Sequence, residues 1–345
     1  MELTIKDGMK ILKSENFNSL FNLSTGFTAT WGKTKEEDPD WCEFGPLIAD
    51  IEITTRCSGV NKTLCKYCYK ANTPNGKNMS FETFKQIIEK LNVNQQLHQV
   101  AFGLGSSGEE NPALWDMCKY LRNNNIIPNG TVADISDETA QKIANNFGAC
   151  AISLHLPNID ICYNNVKKLT DLGMKQTNIH FVLCQETLNA AHKHLNAVQN
   201  DERLKKLNAT VFLSLKSKGR AEDNEYTPIT NKQFSNLINK ALERKINIGF
   251  DSCSGRKFEK AIKHREDFKQ LMTYVDPCES TLFSAYVNVF GEFYPCSFTE
   301  GTEKWKTGVE IIGKDFIKEV WNSHRVSNFR KILLEHQRSC PIYKI

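Results

Sequence analysis

Three cysteines near the start of the chain have a spacing that suits metal chemistry. Cys57, Cys65 and Cys68 form a C-x7-C-x2-C pattern directly after the apolar, β-branched run 47–55. Three thiolates can hold three irons of a [4Fe-4S] cube and leave the fourth iron open, whereas a cluster that only carries electrons usually has four protein ligands. C-x2-C is also half of a structural zinc site, which needs a second pair of Cys or His ligands. The triplet therefore predicts a metal centre, with iron-sulfur and zinc both open.

The triplet resembles the cysteine motif of the radical S-adenosylmethionine (radical SAM) superfamily, which follows the first strand of a partial barrel. Tyr67 fills the place of the aromatic residue before the last cysteine in the commonest family spacing, C-x3-C-x2-C. The first gap, 58–64, is four residues longer here, so a larger loop is expected around the cluster. The resemblance implies a [4Fe-4S] cluster that binds S-adenosyl-L-methionine (SAM). It also implies reductive cleavage of SAM to a 5'-deoxyadenosyl radical, which abstracts a hydrogen atom from the substrate.

The glycine-rich turn after the second expected strand resembles the family's Gly-Gly-Glu motif, which contacts the amino group of SAM. Ser107, Gly108 and Glu109 align with it, with a serine in place of the first glycine. From the residues alone, an ordinary turn between a strand and a helix is the simpler interpretation. The resemblance therefore implies that these three residues bind the cofactor.

Four further residues at expected strand ends resemble SAM contacts of the family. Thr131 matches one position of a Thr-Thr-Asn-Gly pattern, and Ser153 resembles a serine that reaches the ribose or carboxylate of SAM. Lys216 and Arg220 belong to a Lys-x-x-Gly-Arg turn and would pair with the methionyl carboxylate or with an anionic substrate. The alternatives remain that Ser153 is a hydrogen-bonded hydroxyl of the core and that Lys216 and Arg220 belong to a solvated basic loop.

A second group of cysteines occurs near the C-terminus. Cys278 and Cys296 flank a C-x12-G-x4-C segment whose alternating apolar residues predict a β-hairpin with a cysteine at each far end. The segment resembles the opening of SPASM and Twitch domains, which carry an auxiliary [4Fe-4S] cluster. Cys253 and Cys340 would complete a set of four thiolates, which also suits zinc.

The elements expected to position these residues alternate between strands and amphipathic helices from residue 47 onward. Such alternation with short connections predicts a parallel sheet with crossover helices, whose sites lie at the carboxyl ends of the strands. The expected fold is thus α/β, a partial (β/α)6 barrel of the radical SAM type with a small C-terminal α+β Twitch-like extension. The predicted regions are an N-terminal extension at 1–46 with short strands or an ordered arm, the barrel at 47–252 and the auxiliary-cluster region at 253–345.

Bulk properties exclude few function classes. The chain has 345 residues, 40% hydrophobic and 24% charged residues, and a net charge of +4, too mild to predict nucleic-acid binding. The absence of a run of about 18 apolar residues and of a secretory signal predicts a soluble, cytoplasmic protein that does not enter a membrane. Twelve cysteines in a reducing compartment favour metal ligation over disulfides.

The function expected from these residues is that of a radical SAM oxidoreductase that modifies a peptide or protein. A small molecule or nucleotide is the alternative substrate, and the implied electron donor is a flavodoxin or ferredoxin. A zinc-stabilised binding protein without catalysis is the alternative from a different class. The sequence does not choose a hydrogen-donating side chain.

Overall fold

The N-terminal residues form a four-stranded antiparallel meander. In a computed structural model, which describes residues 2–224 and 226–343, the strands are β1 (Glu2–Lys6), β2 (Met9–Lys13), β3 (Asn18–Asn22) and β4 (Thr28–Trp31). Asp7 and Gly8 have positive φ values of 51° and 74°, the backbone of a two-residue hairpin turn between β1 and β2. The short strands expected in this region are confirmed.

The central part of the chain forms a parallel sheet in which consecutive strands are neighbours. Each connection between strands contains at least one helix, so the alternation read from the sequence is confirmed. The elements are β5 (Ile48–Glu52), α1 (Phe81–Leu91), β6 (Gln99–Gly103), α2 (Leu114–Asn123), β7 (Ile127–Val132), α3 (Asp137–Asn146), β8 (Ala149–Ser153), α4 (Ile159–Asp171), β9 (Thr177–Leu183), α5 (Gln185–Asn200), β10 (Ala209–Ser214), α6 (Arg220–Asp223), α7 (Asn231–Glu243) and β11 (Ile248–Phe250).

The two faces of this sheet differ in polarity. In β9, Ile179 and Phe181 are buried on the face that packs into the main apolar core. Asn178 and His180 alternate with them and are half-buried on the opposite face. Thr131 of β7 lies on that same polar face, since its hydroxyl is 3.2 Å from Nδ1 of His180. The polar face leads to the carboxyl edge, where the predicted site residues lie.

Helix caps fix where the crossover helices begin. Ser80 accepts a hydrogen bond from the Thr83 backbone amide at 3.0 Å, and Ser136 caps α3 in the same way. A serine cap stabilises a helix by about 1 kcal/mol relative to alanine. Ile87 and Leu91 of α1 are fully buried in the main core, where each contributes about 1.5–3 kcal/mol.

The C-terminal region extends the same sheet on the other side of β5. It contains α8 (Gly255–Ile262), α9 (Phe268–Met272), the hairpin of β12 (Ser284–Val287) and β13 (Glu292–Tyr294), β14 (Val309–Glu310), a π-helical segment (Phe316–Trp321) and α10 (His324–Glu335). Strand β12 pairs in parallel with β5, and β13 and β14 follow in antiparallel. The predicted hairpin is confirmed.

The N-terminal meander packs at the amino edge of the parallel sheet. Phe21 stacks on His98, immediately before β6, with ring centroids 4.8 Å apart, and the Ser19 hydroxyl is 3.1 Å from Nε2 of the same histidine. This contact lies at the end of the strands away from the cysteine triplet.

The α/β class with a large parallel sheet is established, whereas closure into a partial barrel, a Twitch-type extension and the boundaries 1–46, 47–252 and 253–345 stay predictions. Met1, Lys344 and Ile345 of the outer two regions lie outside the described residues. Across the described part of the chain, no helix is long and apolar enough to cross a membrane.

Candidate functional site

The extra residues of the first cysteine gap form a small hairpin of their own. Val60 and Thr63 exchange two backbone hydrogen bonds of 3.0 and 2.9 Å, and the two residues between them, Asn61 and Lys62, have φ values of 48° and 59°. Positive φ at both central positions defines a type I′ turn. The four additional residues are therefore taken up as a local turn, and the chain returns to its path before Cys65.

The three cysteines of the triplet lie together in the loop after β5, at the carboxyl edge of the sheet. All three are half-buried, and the Cys57 amide donates to the Thr73 carbonyl at 3.0 Å, which closes the loop. Burial, together with the nearby Cys68 and Cys57, raises the pKa of the Cys65 thiol to about 12. Such a thiol ionises only beside a strong positive charge, which a metal centre supplies.

No three His, Cys, Asp or Glu side chains among residues 2–224 and 226–343 are arranged to hold a single metal ion.

A histidine and a tyrosine lie against the middle cysteine. Nδ1 of His155 is 3.3 Å from Sγ of Cys65 and 2.9 Å from the hydroxyl of Tyr67, and the Tyr67 and His155 rings are stacked. Burial lowers the pKa of His155 to about 4, so the imidazole is neutral at pH 7. His155 follows Ser153, which is half-buried at the end of β8.

Arg220 holds the cysteine loop in place. Its Nε donates to the Cys65 carbonyl at 2.8 Å, its Nη1 donates to the Asn72 carbonyl at 3.0 Å, and its backbone amide donates to the Cys68 carbonyl at 3.0 Å. The preceding Gly219 has φ +59°, and a Cβ there would lie 2.5 Å from the Tyr69 carbonyl oxygen. The Lys-x-x-Gly-Arg turn thus binds protein carbonyls in this structure, and the prediction that Arg220 pairs with an anionic ligand stays untested.

Lys216 is also engaged within the protein. Its buried ammonium pairs with the Asp251 carboxylate and lies 4.6 Å from the centroid of the Phe298 ring. Burial alone would lower the pKa of Lys216, but Asp251 and the Cys253 thiol outweigh burial and raise it. The ammonium is therefore charged, and its first partner is Asp251 rather than a ligand.

The two consecutive glutamates of the glycine-rich turn after β6, Glu109 and Glu110, have different surroundings. Gly108 has φ +78°, and the exposed Glu109 side chain points to Lys142, 3.3 Å away. Oε1 of Glu110, by contrast, accepts the Ser107 amide at 2.9 Å, and its Oε2 is buried without a hydrogen-bond partner in the described residues. An unpaired buried carboxylate oxygen costs free energy, which a cationic ligand would recover.

The carboxyl group of Glu110 lies near the start of the cysteine loop. A Cβ built on Gly105 would be 2.3 Å from the Glu110 carboxyl carbon and 2.5 Å from the carbonyl oxygen of Arg56, the residue before Cys57. The sequence alignment placed Glu109 at the glutamate of the motif, whereas Glu110 is the carboxylate near the cysteine loop, and the choice between them as the SAM contact stays a prediction. The signal available was the Glu-Glu pair at 109–110.

The four C-terminal cysteines lie near one another in space. The charges of Cys278 and Cys296 act on Cys253, and the charge of Cys340 acts on both Cys278 and Cys296. Burial raises the pKa of Cys253, Cys278 and Cys296, the last to about 11. These interactions link Cys253 and Cys340 each to Cys278 and Cys296, and the binding of an auxiliary cluster by the four stays a prediction.

A buried ion network joins the cysteine loop to the C-terminal hairpin. Lys70, two residues after Cys68, pairs with Glu300 and, at 3.0 Å, with Oε1 of Glu52 at the end of β5. The Tyr286 hydroxyl accepts from Lys70 at 2.8 Å. Sequence reasoning missed this group, although a glutamate at the end of an apolar strand was a signal for it.

Comparison with solved structures shows similarity to two crystal structures of BtrN. One, in complex with AdoMet and 2-DOIA, has 13% sequence identity and a TM-score of 0.48, over 85% of this chain and 88% of that chain. The other, selenomethionine BtrN in an open conformation, has 15% identity and a TM-score of 0.32, over 84% and 85% of the two chains. No protein-family model matches the chain, and no curated protein matches it.

Proposed function

We propose that this protein is a radical SAM enzyme whose SAM-binding [4Fe-4S] cluster is held by Cys57, Cys65 and Cys68. The observation that carries the proposal is that Cys57, Cys65 and Cys68 are half-buried in one loop at the carboxyl edge of a parallel sheet, with the carboxyl group of Glu110 near the start of that loop. When bound, the cluster and SAM supply an agent that abstracts hydrogen from unactivated C–H bonds. An electron donor such as a flavodoxin or ferredoxin is required.

The residues present fit this cofactor pair. Three thiols suit three irons and leave one iron for a chelating ligand. Glu110 offers its unpaired Oε2 to an ammonium group, which is the contact that the family's glutamate makes with SAM. Thr131, Ser153 and the Ser107–Gly108 turn line the same edge and are proposed to contact the rest of SAM.

The surrounding residues are proposed to keep the loop rigid and the site free of competing charge. Arg220 binds two carbonyls of the loop region, so that the cysteines keep their positions before the metal arrives. The neutral His155 next to Cys65 adds no positive charge that would pair with the thiolate in place of iron. The four cysteines Cys253, Cys278, Cys296 and Cys340 are proposed to hold an auxiliary cluster.

The experiment that tests the proposal measures iron and sulfide in protein reconstituted anaerobically, and 5'-deoxyadenosine after addition of SAM and dithionite. We expect about eight irons per chain, since each cube holds four. The triple variant C57A/C65A/C68A is expected to retain about four irons and to form no 5'-deoxyadenosine. Cys118→Ala, which removes a buried thiol from α2, is the matched control. Zinc in place of iron, with no cleavage of SAM, would favour the zinc-stabilised binding protein.

The family resemblance favours a peptide or protein as the substrate, with a small molecule as the alternative. The N-terminal meander binds the amino edge of the sheet, away from the proposed site, so it adds no substrate-binding surface beside the cysteines.

A further inference from the structure

A cavity of about 380 Å³ opens beside the cysteine loop. This volume lies at the low end of small-molecule sites, and at about 30 Å³ per water molecule it holds roughly a dozen water-sized groups. The cavity is bounded by the segment after Cys68, the end of β5, the turn of the C-terminal hairpin and the residue before Gly219. The lining residues that matter for recognition are Glu52, Tyr69, Lys70, Lys218, Phe290 and Glu300.

The two lysines of the cavity have no hydrogens left for an anionic ligand. An ammonium group has three N–H donors. Those of Lys70 face Glu52, Glu300 and the Tyr286 hydroxyl. Nζ of Lys218 donates to three backbone carbonyls, those of Ser297 at 3.0 Å, Phe298 at 3.4 Å and Glu300 at 2.7 Å. A carboxylate or phosphate would find no free cationic donor on either lysine.

The carboxylates of the cavity, by contrast, keep acceptor capacity. A carboxylate has about four lone-pair positions. Oε1 of Glu300 accepts Nδ2 of Asn288 at 3.1 Å, and its Oε2 accepts from Lys70 and from the Tyr286 hydroxyl at 3.2 Å. Burial opposes ionisation of Glu300, but Lys70 and these hydrogen bonds outweigh it and lower its pKa. The Glu300 side chain is 22% exposed, against 5% for Glu52, so it is the acceptor that a ligand reaches.

An aromatic ring stands at the rim of this cavity. Phe290, in the hairpin turn, is 61% exposed, an unusual position for a large apolar side chain. The Lys77 ammonium lies 4.8 Å from the centroid of the Phe290 ring, and the ring borders the opening of the cavity. The cavity thus combines the ionised acceptor Glu300 inside with one apolar surface at its mouth.

We infer that this cavity is the substrate site of the proposed enzyme, and that the substrate is a small molecule rich in hydroxyl or amino groups. A hydroxyl or ammonium donor matches the lone-pair position that remains free on Glu300, and a C–H face of such a molecule packs against Phe290. A peptide backbone presents as many carbonyl acceptors as amide donors, and neither Lys70 nor Lys218 has a free hydrogen for such a carbonyl inside the cavity. The inference rests on the proposed function for the reaction, but its binding test does not require catalysis.

The test uses three ligands that share one six-membered ring: D-glucosamine, D-glucose and D-glucuronate. Their dissociation constants for the full-length protein are measured by saturation-transfer NMR titration. We expect glucosamine and glucose to bind and glucuronate to bind at least tenfold more weakly. Tightest binding of glucuronate, or binding of none of the three at tens of millimolar, would overturn the inference.

Two variants locate the binding in this cavity. Glu300→Gln replaces an ionised acceptor and is expected to weaken glucosamine binding about tenfold, because hydrogen bonds to a charged acceptor are roughly twice as strong as neutral ones. Glu303→Gln, at an exposed position three residues later, is the matched control and should bind like the original protein. Phe290→Ala alters an exposed side chain, so folding is preserved, and it is expected to weaken both sugars. Unchanged binding in Phe290→Ala and Glu300→Gln would contradict the assignment.

The outcomes separate this inference from the proposed function. Cleavage of SAM without binding of any of the three ligands would reject the inference and leave the radical SAM proposal. Binding of glucosamine at this cavity in a protein that holds no iron and leaves SAM intact would do the reverse.

Discussion

The burial of Lys10 in the N-terminal meander leads to a prediction about how the stability of the protein depends on pH. Lys10 lies in the middle of β2 and is 1% exposed, and its Nζ donates to the Leu97 carbonyl at 2.6 Å. Burial lowers the pKa of Lys10 from 10.5 to about 7. We expect Lys10→Met, which keeps the length of the side chain and removes the ammonium, to stabilise the protein at pH 7 and to destabilise it at high pH.

The magnitude follows from the difference in pKa. A lowering of about 3.5 units corresponds to roughly 5 kcal/mol at 1.36 kcal/mol per unit. Between pH 7 and 10.5 the unfolded chain binds more protons at this site than the folded chain does, so stability rises with pH over that window. The free-energy cost of burying the Lys10 ammonium therefore has nearly its full value below pH 7 and is absent above pH 10.5. Loss of the hydrogen bond leaves the Leu97 carbonyl unpaired, at about 1–3 kcal/mol. The net gain at pH 7 is therefore about 2–4 kcal/mol.

The assay is urea unfolding of the original protein and of Lys10→Met at pH 7 and at pH 10. The free energy difference between the two proteins is expected to change sign between these values. Lys13→Met, at an exposed position of the same strand, is the control and should show no such change. An equal loss of stability in Lys10→Met at both pH values would refute the reasoning, since it would show that the ammonium is not penalised by burial.

Three further predictions concern the site and its support. Glu110→Gln should weaken SAM binding by about 10- to 100-fold in equilibrium dialysis, since a charged hydrogen bond contributes about 1.5–3 kcal/mol. Glu109→Gln, at the surface, is the control and should leave SAM binding unchanged. Equal effects of the two variants would count against the assignment of Glu110. Gly219→Ala places a Cβ 2.5 and 2.7 Å from two carbonyl oxygens of the cysteine loop and should reduce the iron content after reconstitution, and full iron loading would contradict the clamping role of this turn. The control is Gly173→Ala, which also has positive φ but faces open space. Arg330→Met removes a guanidinium that lies 3.7 Å from the centroid of the Trp41 ring and donates to two backbone carbonyls, those of Thr281 and Trp321. Thermal unfolding should show that the free energy of unfolding falls by about 3 kcal/mol. A decrease below about 1 kcal/mol would show that these carbonyls find other partners.

Local patterns in the sequence predicted local structure well. The alternation of strands and helices from residue 47 onward forms as the sequence predicted. The hairpin around Gly291 also forms as expected. Each of these features depends on side chains within a few residues of one another, so their spacing along the chain carries the information.

Contacts between distant segments were decided only by the tertiary structure. The sequence alone placed Lys216 and Arg220 at a strand end, but it did not show that Arg220 binds the carbonyl of Cys65, 155 residues away. The sequence alone also did not show that the Glu109 carboxylate lies beside Lys142 at the surface, while the Glu110 carboxylate accepts a hydrogen bond from the Ser107 amide.

The sequence by itself determined the alternation of strands and helices and the position of the cysteine triplet after a strand. Only the tertiary structure decided that β12 pairs with β5, which brings Glu300 to Glu52 and Lys70 and forms the cavity beside the triplet. The physical reason is that the pairing partner of a strand edge depends on hydrogen bonds and packing between segments far apart in the chain. Neither of the two segments carries that information alone.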